Sequence, residues 1–460
     1  MSQFDQSLSI ANPHPANYNT KQKLGLAIIA LGTLALVLGW IGYGKTYSLA
    51  LLLSSLGGLS IGGLIFFYGS YGHLPSGIKN NRAFFSSMSS RGALGWMLGI
   101  VLTGFYISLY FFPSYMSGLT AMFEPLSQAV RNQPSNQWFV YGTFYTVAVV
   151  IMGIKFMMKY RHNRYQLIRT ASVTFFQLIF AWLLPAIMVR LYNYEPYLSY
   201  FWPLDYDAIF PSNIKYVLSK GNLGQFVLVW SVVLTFIGTP ILTYFFGKRW
   251  YCSWVCGCGG LAETAGDPFR HLSDKSLKAW RIERVLIHSI LAIILIITAL
   301  LLMDSASKGA ILGESFGKSM AKTYGFLIGS IFAGVVGTGF YPILGNRAWC
   351  RFGCPMAAYL GLIQRFKSRF RITTNGGQCI SCGNCSTYCE MGIDVRWYAQ
   401  RGQNIVRSSC VGCGICSAVC PRGVLKLENG PDNSQRTGIQ LDNGGLIPPE
   451  AVQILGKDLH

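Results

Sequence analysis

Long apolar runs fill the first three quarters of the chain and limit its fold more than any other feature of the sequence. A run of about 20 uncharged residues is long enough to cross a lipid bilayer as an α-helix. We predict eight spans, at about 24–43, 47–68, 94–112, 138–158, 171–191, 225–246, 285–303 and 324–344. A content of 51% hydrophobic and only 12% charged residues agrees with a membrane protein.

The distribution of basic residues predicts how these spans are oriented. If the N-terminus is cytoplasmic, 30 of the 38 Lys and Arg residues lie on the cytoplasmic side, as the positive-inside rule requires. We therefore expect a multi-pass protein of a bacterial inner membrane with both termini in the cytoplasm. The net charge of +20 then reflects topology and contact with anionic lipid, and we expect no nucleic-acid partner. All 13 cysteines fall on the reducing side, which favours metal binding over disulfides.

Eight cysteines near the C-terminus form two runs of identical spacing, C-x2-C-x2-C-x3-C, and Pro421 closes the second run. Bacterial ferredoxins bind two [4Fe–4S] clusters with this spacing, and the fourth cysteine of each run ligates the other cluster. We predict two crossed ligand sets. They are Cys379, Cys382, Cys385 and Cys420, and Cys410, Cys413, Cys416 and Cys389. A pair of zinc ribbons is the alternative, although zinc favours C-x2-C pairs that lie far apart.

Local geometry explains why such a run suits a cluster. We expect Gly383, Gly412 and Gly414 to let backbone N–H groups approach the sulfides of the clusters. We also expect the fourth cysteine of each run to start a helix that points away from its own cluster. One departure from the usual pattern is Glu390, which stands where a proline often follows the first run.

The sixth and eighth spans are each followed by the pattern G-x-R-x-aromatic-C-x3-C, at 247–256 and 345–354. Residues four apart are neighbours on one helix face, so the two pairs together offer four thiolates. We interpret them as a third iron–sulfur cluster or another redox site, with inert buried pairs as the alternative. The cysteines are Cys252, Cys256, Cys350 and Cys354. Cys258 is a fifth thiol that could replace Cys256 as a ligand. Arg249 and Arg347 are expected to lower the thiolate pKa values or offset cluster charge.

The segment after the fifth span is unusually aromatic. Eight aromatic residues lie between 192 and 210, together with Glu195, Asp205 and Asp207. We expect an aromatic belt at the outer membrane interface. A quinone pocket or a docking face for a periplasmic partner is the alternative.

These features predict the fold class: a membrane all-α bundle of about eight transmembrane helices with a small α+β bacterial-type two-cluster ferredoxin domain at the C-terminus. The predicted order is a cytoplasmic tail (1–23), a transmembrane domain (24–344) with the first cysteine motif at 247–284, the second motif with a basic linker on the inner membrane surface (345–372), the ferredoxin-like domain (373–427) and a flexible tail (428–460) with a short helix near 448–455.

Paired C-x3-C motifs after membrane spans, one with its proline (Pro355), followed by a two-cluster cassette, resemble the membrane polyferredoxin family, whose members include NapH and NosR. The resemblance covers about residues 225–427, and Gly257 departs from it because it replaces the proline expected after Cys256. It implies electron transfer between the quinone pool, cytoplasmic clusters and a periplasmic acceptor.

We therefore expect an iron–sulfur electron-transfer subunit between the quinone pool or a cytoplasmic donor and a respiratory redox partner, periplasmic or cytoplasmic. Quinone is a further candidate cofactor. Whether the chain is an enzyme stays open, since it could be a component of a quinol dehydrogenase, and no catalytic residue is assigned. The alternative is an assembly or maturation factor that delivers electrons or handles copper through the C-x3-C motifs. A b-type cytochrome is disfavoured because only His288 lies within a span.

Overall fold

The computed structural model describes residues 18–72, 86–311 and 313–430. Within these ranges eight helices are long and apolar enough to cross a membrane, which is the number predicted, and the chain is a multi-pass membrane protein. They are Thr20–Ile41, Ser48–Tyr71, Ala93–Phe111, Gln137–Lys159, Arg164–Tyr192, Asn222–Phe246, Leu277–Ala306 and Ser315–Gly339. The eighth helix ends before the predicted limit of 344, and a separate short helix, Tyr341–Leu344, follows it.

The fifth and seventh helices start earlier than predicted because polar residues cap them before their apolar runs begin. The side chain of Asn163 accepts a hydrogen bond from the backbone N–H of Gln166 at 3.2 Å. Ser276 accepts one from the N–H of Ala279 at 3.1 Å. Hydropathy identifies only the apolar part of a helix. The helix can begin earlier, in a polar stretch, because the capping side chain satisfies a free N–H group of the first turn.

Three of the eight helices contain π-helical turns, at Phe176–Leu183, Leu234–Gly238 and Gly325–Val336. They lie in the fifth, sixth and eighth helices, next to the two C-x3-C motifs in the chain or in space. In the eighth helix, for example, Phe332 packs edge-on against Trp349 with ring centroids 5.8 Å apart. Such turns are rare and frequently occur at functional sites.

Shorter helices join the spans. Those at the cysteine-bearing end of the bundle are Ser86–Ser89, Arg249–Cys252, Gly257–Thr264, Asp267–Leu272, Tyr341–Leu344, Ala348–Phe352 and Pro355–Lys367. Those at the opposite end are Tyr43–Lys45, Pro113–Met116, Ser117–Met122, Glu124–Arg131 and Pro211–Leu218.

Glycines hold the first and second helices close together. A Cβ atom on Gly25 would lie 2.7 Å from the carbonyl oxygen of Gly62, and one on Gly58 would lie 2.9 Å from the Cα of Gly32. Small residues permit this backbone approach between membrane helices.

The aromatic segment at 193–210 does not form a belt at the outer interface, and that prediction is wrong. The segment leaves the fifth helix at the end opposite the cysteines and then runs back into the bundle. Trp202 is only 4% exposed, and its carbonyl oxygen accepts a hydrogen bond from Thr235, in the middle of the sixth helix, at 2.9 Å. The hydroxyl of Tyr251, beside Cys252, donates to the carbonyl of Ser199 at 2.8 Å. The segment is therefore re-entrant and reaches the first cysteine motif.

The C-terminal domain, here called the head, is small and mostly irregular. Strands β1 (Arg371–Thr374) and β2 (Leu425–Glu428) form an antiparallel sheet in which Ile372 faces Leu427. Its short helices are Gly376–Gln378, Asn384–Thr387, Val395–Gln400 and Ile415–Ala418. The head thus has the predicted α+β character.

In the segment predicted at 345–372 as the second cysteine motif and a basic linker, Pro355–Lys367 forms a helix that leads toward β1. The predicted tails lie mostly outside the described residues: 1–17 at the N-terminus and 431–460, with the helix expected near 448–455, at the C-terminus.

Candidate iron–sulfur sites

The eight cysteines of the head line two separate cavities. One cavity is lined by Cys379, Cys382, Cys385 and Cys420. The other is lined by Cys389, Cys410, Cys413 and Cys416. Three cysteines of each run and the fourth cysteine of the other run thus share a cavity, which is the grouping predicted for crossed ligation.

The cysteines surround space and do not converge on one point. Within the described ranges, no three His, Cys, Asp or Glu side chains are close enough to hold a single metal ion. Ligands of a [4Fe–4S] cluster have no need to converge, because each thiolate binds a different iron atom.

The exchange of the fourth cysteines has a different local cause from the one expected. The short helices Asn384–Thr387 and Ile415–Ala418 each contain the third cysteine of a run and end before the fourth, so the fourth cysteine follows a helix and does not start one. Each helix begins after a glycine in the left-handed region, Gly383 at φ +77° and Gly414 at φ +74°. A residue with a Cβ atom would be strained there, which explains both glycines.

The two cavities differ in their surroundings. The first is lined only by residues of the head, and its Cys382 is exposed to solvent. The second faces the membrane domain. Tyr165 and Gln166 of the fifth helix donate hydrogen bonds to the carbonyls of Gly412 at 2.8 Å and Cys413 at 2.9 Å. We call these cavities the distal and the proximal cavity.

Burial makes the proximal thiols poor acids before a cluster is bound. It raises the pKa of Cys413 to about 12 and that of Cys410 to about 11. Metal ligands must be deprotonated, so binding of iron by these residues would release protons and neutralise charge that burial disfavours.

The two C-x3-C motifs come together at the same end of the bundle. Cys252, Cys256, Cys350 and Cys354 are each only 6–7% exposed and belong to one buried cluster of side chains. The pKa of Cys252 is raised to about 12. Burial is the main cause, and the nearby thiols of Cys256 and Cys350 contribute electrostatically. We call this arrangement the membrane-domain cysteine site.

Cys258 lies beside this site, where its thiol hydrogen-bonds to Cys256. That bond, followed by burial, raises the pKa of Cys258 well above its ordinary value, whereas the same bond lowers the pKa of Cys256. Cys258 also contacts the hydroxyl of Tyr200 in the re-entrant segment. The arrangement favours Cys256 as a thiolate ligand and Cys258 as a hydrogen-bond donor.

The two arginines of the repeat have different surroundings. The Arg347 guanidinium donates to the Cys350 sulfur at 3.5 Å and to the Cys252 carbonyl at 3.3 Å, so it bridges the two motifs. Arg249 instead lies over the rings of Phe370 and Tyr165, at 4.9 and 5.7 Å. Arg347 and Lys248 are the cations that lower the pKa of Cys252, against the larger effect of burial.

A buried ion network joins the membrane-domain cysteine site to the proximal cavity. Glu390, which is fully buried, accepts a hydrogen bond from Arg270 at 2.6 Å and lies 3.1 Å from Nε of Arg347. Arg347 also pairs with Glu263 at 2.5 Å, and Glu263 pairs with Arg169. Burial alone would raise the pKa of Glu390, but Arg270, Arg347 and Arg169 hold it below its ordinary value.

The network continues into the fourth helix. Asp267 accepts from Lys155 at 3.0 Å and from Lys159 at 2.9 Å, and Arg270 lies 3.4 Å from it. Burial opposes its ionisation, yet these cations hold the pKa of Asp267 far below its ordinary value. Five buried cations thus face three buried carboxylates, and the excess positive charge lies where anionic clusters would sit.

Most of this network is not apparent from the sequence. Lys155, Lys159 and Arg169 are among the basic residues expected on the cytoplasmic side, and they are 4% exposed or less in the bundle. The one visible signal was Glu390, whose position departs from the usual proline.

Models of iron–sulfur domain families match three parts of the chain. A 4Fe-4S binding domain matches residues 228–276 and again residues 324–373, so both members of the repeat match the same family. A 4Fe-4S dicluster domain matches residues 378–425 of the head. These matches identify the chain as a carrier of several [4Fe–4S] clusters.

Two curated relatives are similar over part of the chain. YccM of Escherichia coli (strain K12), whose name assigns it to electron transport, is 28% identical over 189 residues, which is 40% of this chain and 52% of that protein. MauN of Methylobacillus flagellatus, a methylamine utilization ferredoxin-type protein, is 28% identical over 160 residues, or 33% of this chain and 53% of that protein. The chain thus spans about half the length of these relatives. No solved structure was found to match it. The chain carries 4Fe-4S domains and is similar over part of its length to one protein named for electron transport and to one named as a ferredoxin-type protein.

Proposed function

We propose that this chain is an electron-transfer subunit of a bacterial inner membrane that connects the quinone pool to a redox partner through three [4Fe–4S] clusters. The membrane-domain cysteine site would hold the first cluster, with Cys252, Cys256, Cys350 and Cys354 as ligands. The proximal and distal cavities would hold the other two. Both termini would be cytoplasmic, as the distribution of basic residues favours.

One observation carries the proposal: the three cysteine groups are linked in series. Arg347 lies 3.5 Å from the Cys350 sulfur and 3.1 Å from Glu390, which follows Cys389 of the proximal cavity in the chain. The proximal and distal cavities share the two cysteine runs, because each takes its fourth cysteine from the other run. Such contacts support a continuous route along which electrons could move.

The electron count agrees with this route. A quinol releases two electrons and two protons when it is oxidised to the quinone, whereas each cluster accepts one electron at a time. The two electrons would enter the chain of clusters in succession, and the protons would go to solvent. The residues of this chain hold the clusters, exclude water and tune their potentials through burial and hydrogen bonds to sulfur.

The test uses the full-length protein purified without oxygen and reconstituted into nanodiscs with a quinol. Cys350→Ser should prevent reduction of the head by quinol, while dithionite still reduces both head clusters and their EPR signals persist. Cys413→Ala is the matched control, because it should remove the proximal cluster and leave the membrane domain folded.

Two outcomes would refute the proposal. One is reduction of the head by quinol at the wild-type rate in Cys350→Ser. The other is copper with no iron or sulfide in the purified protein, which would favour an assembly factor that handles metal ions.

A further inference from the structure

The surface around the distal cavity is exposed and belongs to the head alone. The residues lining this cavity all belong to the head, between 379 and 425. The proximal cavity, in contrast, is hydrogen-bonded to the membrane domain. Cys382 is exposed, and the neighbouring Ile380 is 56% exposed. An electron could therefore enter or leave the distal cluster through this surface.

Positive charge surrounds this exposed surface. Arg396 and Arg422 line the distal cavity. Among the described residues that line this cavity there is no Asp or Glu. Arg401 follows the short helix that carries Arg396, and its guanidinium lies 4.1 Å from the ring centre of Trp397. The nearby carboxylate of Asp394 accepts hydrogen bonds from Ser386 at 2.6 Å and from the backbone of Trp397 at 3.4 Å, so it is engaged in capping a helix.

Apolar side chains complete the surface. Trp397 is 42% exposed and Ile380 is 56% exposed, although both are large and apolar. Aromatic and Arg residues are the types that dominate the binding energy of protein interfaces, while charged groups steer the approach of a partner. The mixture of exposed Trp, exposed Ile and three arginines is therefore suited to a protein with an acidic surface.

We propose that this surface is the docking site for an acidic, soluble one-electron carrier protein, which exchanges electrons with the distal cluster. The proposal rests on the proposed function and identifies the kind of partner at the end of the route. In each encounter the carrier loses one electron and the distal cluster gains it, or the reverse, and no covalent bond changes. An anionic membrane surface is disfavoured as the occupant because the proximal side of the head is the side held against the membrane domain.

The experiment measures reduction of the full-length protein in nanodiscs by flavodoxin hydroquinone, an acidic protein reductant, with stopped-flow detection of cluster bleaching. The double variant Arg396→Glu with Arg422→Glu should slow this reduction about tenfold or more, within the range of electrostatic steering. It should also reverse the salt effect, since salt slows association of opposite charges and speeds that of like charges. The control Lys215→Glu with Lys278→Glu makes the same change in net charge at exposed positions outside the head.

Dithionite reduction and the EPR signal of the distal cluster verify that the variant still holds that cluster. An unchanged rate and salt dependence in the double variant, with the cluster intact, would overturn the proposal. A slower rate found only in nanodiscs that contain phosphatidylglycerol, and absent in phosphatidylcholine, would also overturn it, because the arginines would then hold the head on lipid. Failure of quinol to reduce the head would refute the proposed function alone, since flavodoxin delivers electrons without quinol.

Discussion

The two C-x3-C motifs share a backbone but make different contacts. Each begins with a glycine in the left-handed region, Gly247 at φ +67° and Gly345 at φ +91°, and each continues into a short helix that ends at or after the first cysteine. The arginine two residues after each glycine nevertheless makes different contacts in the two motifs. Arg347 is buried among carboxylates and touches a cysteine sulfur, whereas Arg249 packs on aromatic rings at the edge of the head.

Residues outside the repeated pattern account for this difference. In the second motif Asn346 donates to Glu390 at 3.1 Å and to the Ala262 carbonyl at 2.6 Å, which directs that motif toward the ion network. In the first motif the corresponding Lys248 donates to the carbonyl of Ser408 in the head at 3.0 Å. The repeat thus places two cysteine pairs symmetrically, while its variable positions attach one motif to the network and the other to the head.

If the cysteines act symmetrically, Cys252→Ser and Cys350→Ser should have the same consequence. Each variant should lose the cluster of the membrane domain and retain both clusters of the head. Iron and sulfide analysis together with EPR would check this, with Cys382→Ala as a control that removes the distal cluster instead. Loss of the cluster in only one of the two variants would show that the motifs do not share it.

The arginines should behave asymmetrically. Arg347→Ala leaves Glu263 and Glu390 buried with fewer cations, and breaking a buried ion pair costs about 3–5 kcal/mol. Arg249→Ala removes contacts with aromatic rings, worth about 0.5–2 kcal/mol. Resistance of the head to protease, measured against urea concentration, would compare the two. Similar losses in both variants would contradict the difference seen in their contacts.

Glu390→Gln should raise the midpoint potential of the proximal cluster relative to the distal one. Removal of a buried negative charge makes addition of an electron to a nearby cluster more favourable, and burial keeps this effect from being screened. EPR-monitored redox titration would measure both potentials, and Glu390→Asp, which keeps the charge, is the control. An equal shift of both clusters, or a shift to lower potential, would argue against the role of Glu390.

The smallest effect is expected from Cys258→Ala, since the second motif has Met356 at the equivalent position and no thiol. The variant should keep its full iron content and show a modestly lower potential of the membrane-domain cluster, because a hydrogen bond to a ligand sulfur favours the reduced state. Loss of iron would instead identify Cys258 as a ligand.

The sequence predicted what depends on local spacing. The grouping of the head cysteines follows from two runs of eleven residues each, and the eight spans follow from continuous apolar runs. The ion network could not be found this way, because Arg270 and Glu390 are 120 residues apart and meet only through the tertiary fold. The aromatic segment was misplaced because its composition fits both a membrane interface and a buried core. Only the tertiary fold distinguishes between the two.

The re-entrant segment constrains how the protein can be made. Residues 193–210 carry Asp205 and Asp207, and their backbone has few helical hydrogen bonds, so this segment would be unstable alone in hydrocarbon. Its partners include Thr235 in the sixth helix and Thr298 in the seventh, which bonds to Trp202 at 3.3 Å. Both partners are synthesised later. The segment can therefore complete these hydrogen bonds only after the sixth and seventh helices are in place.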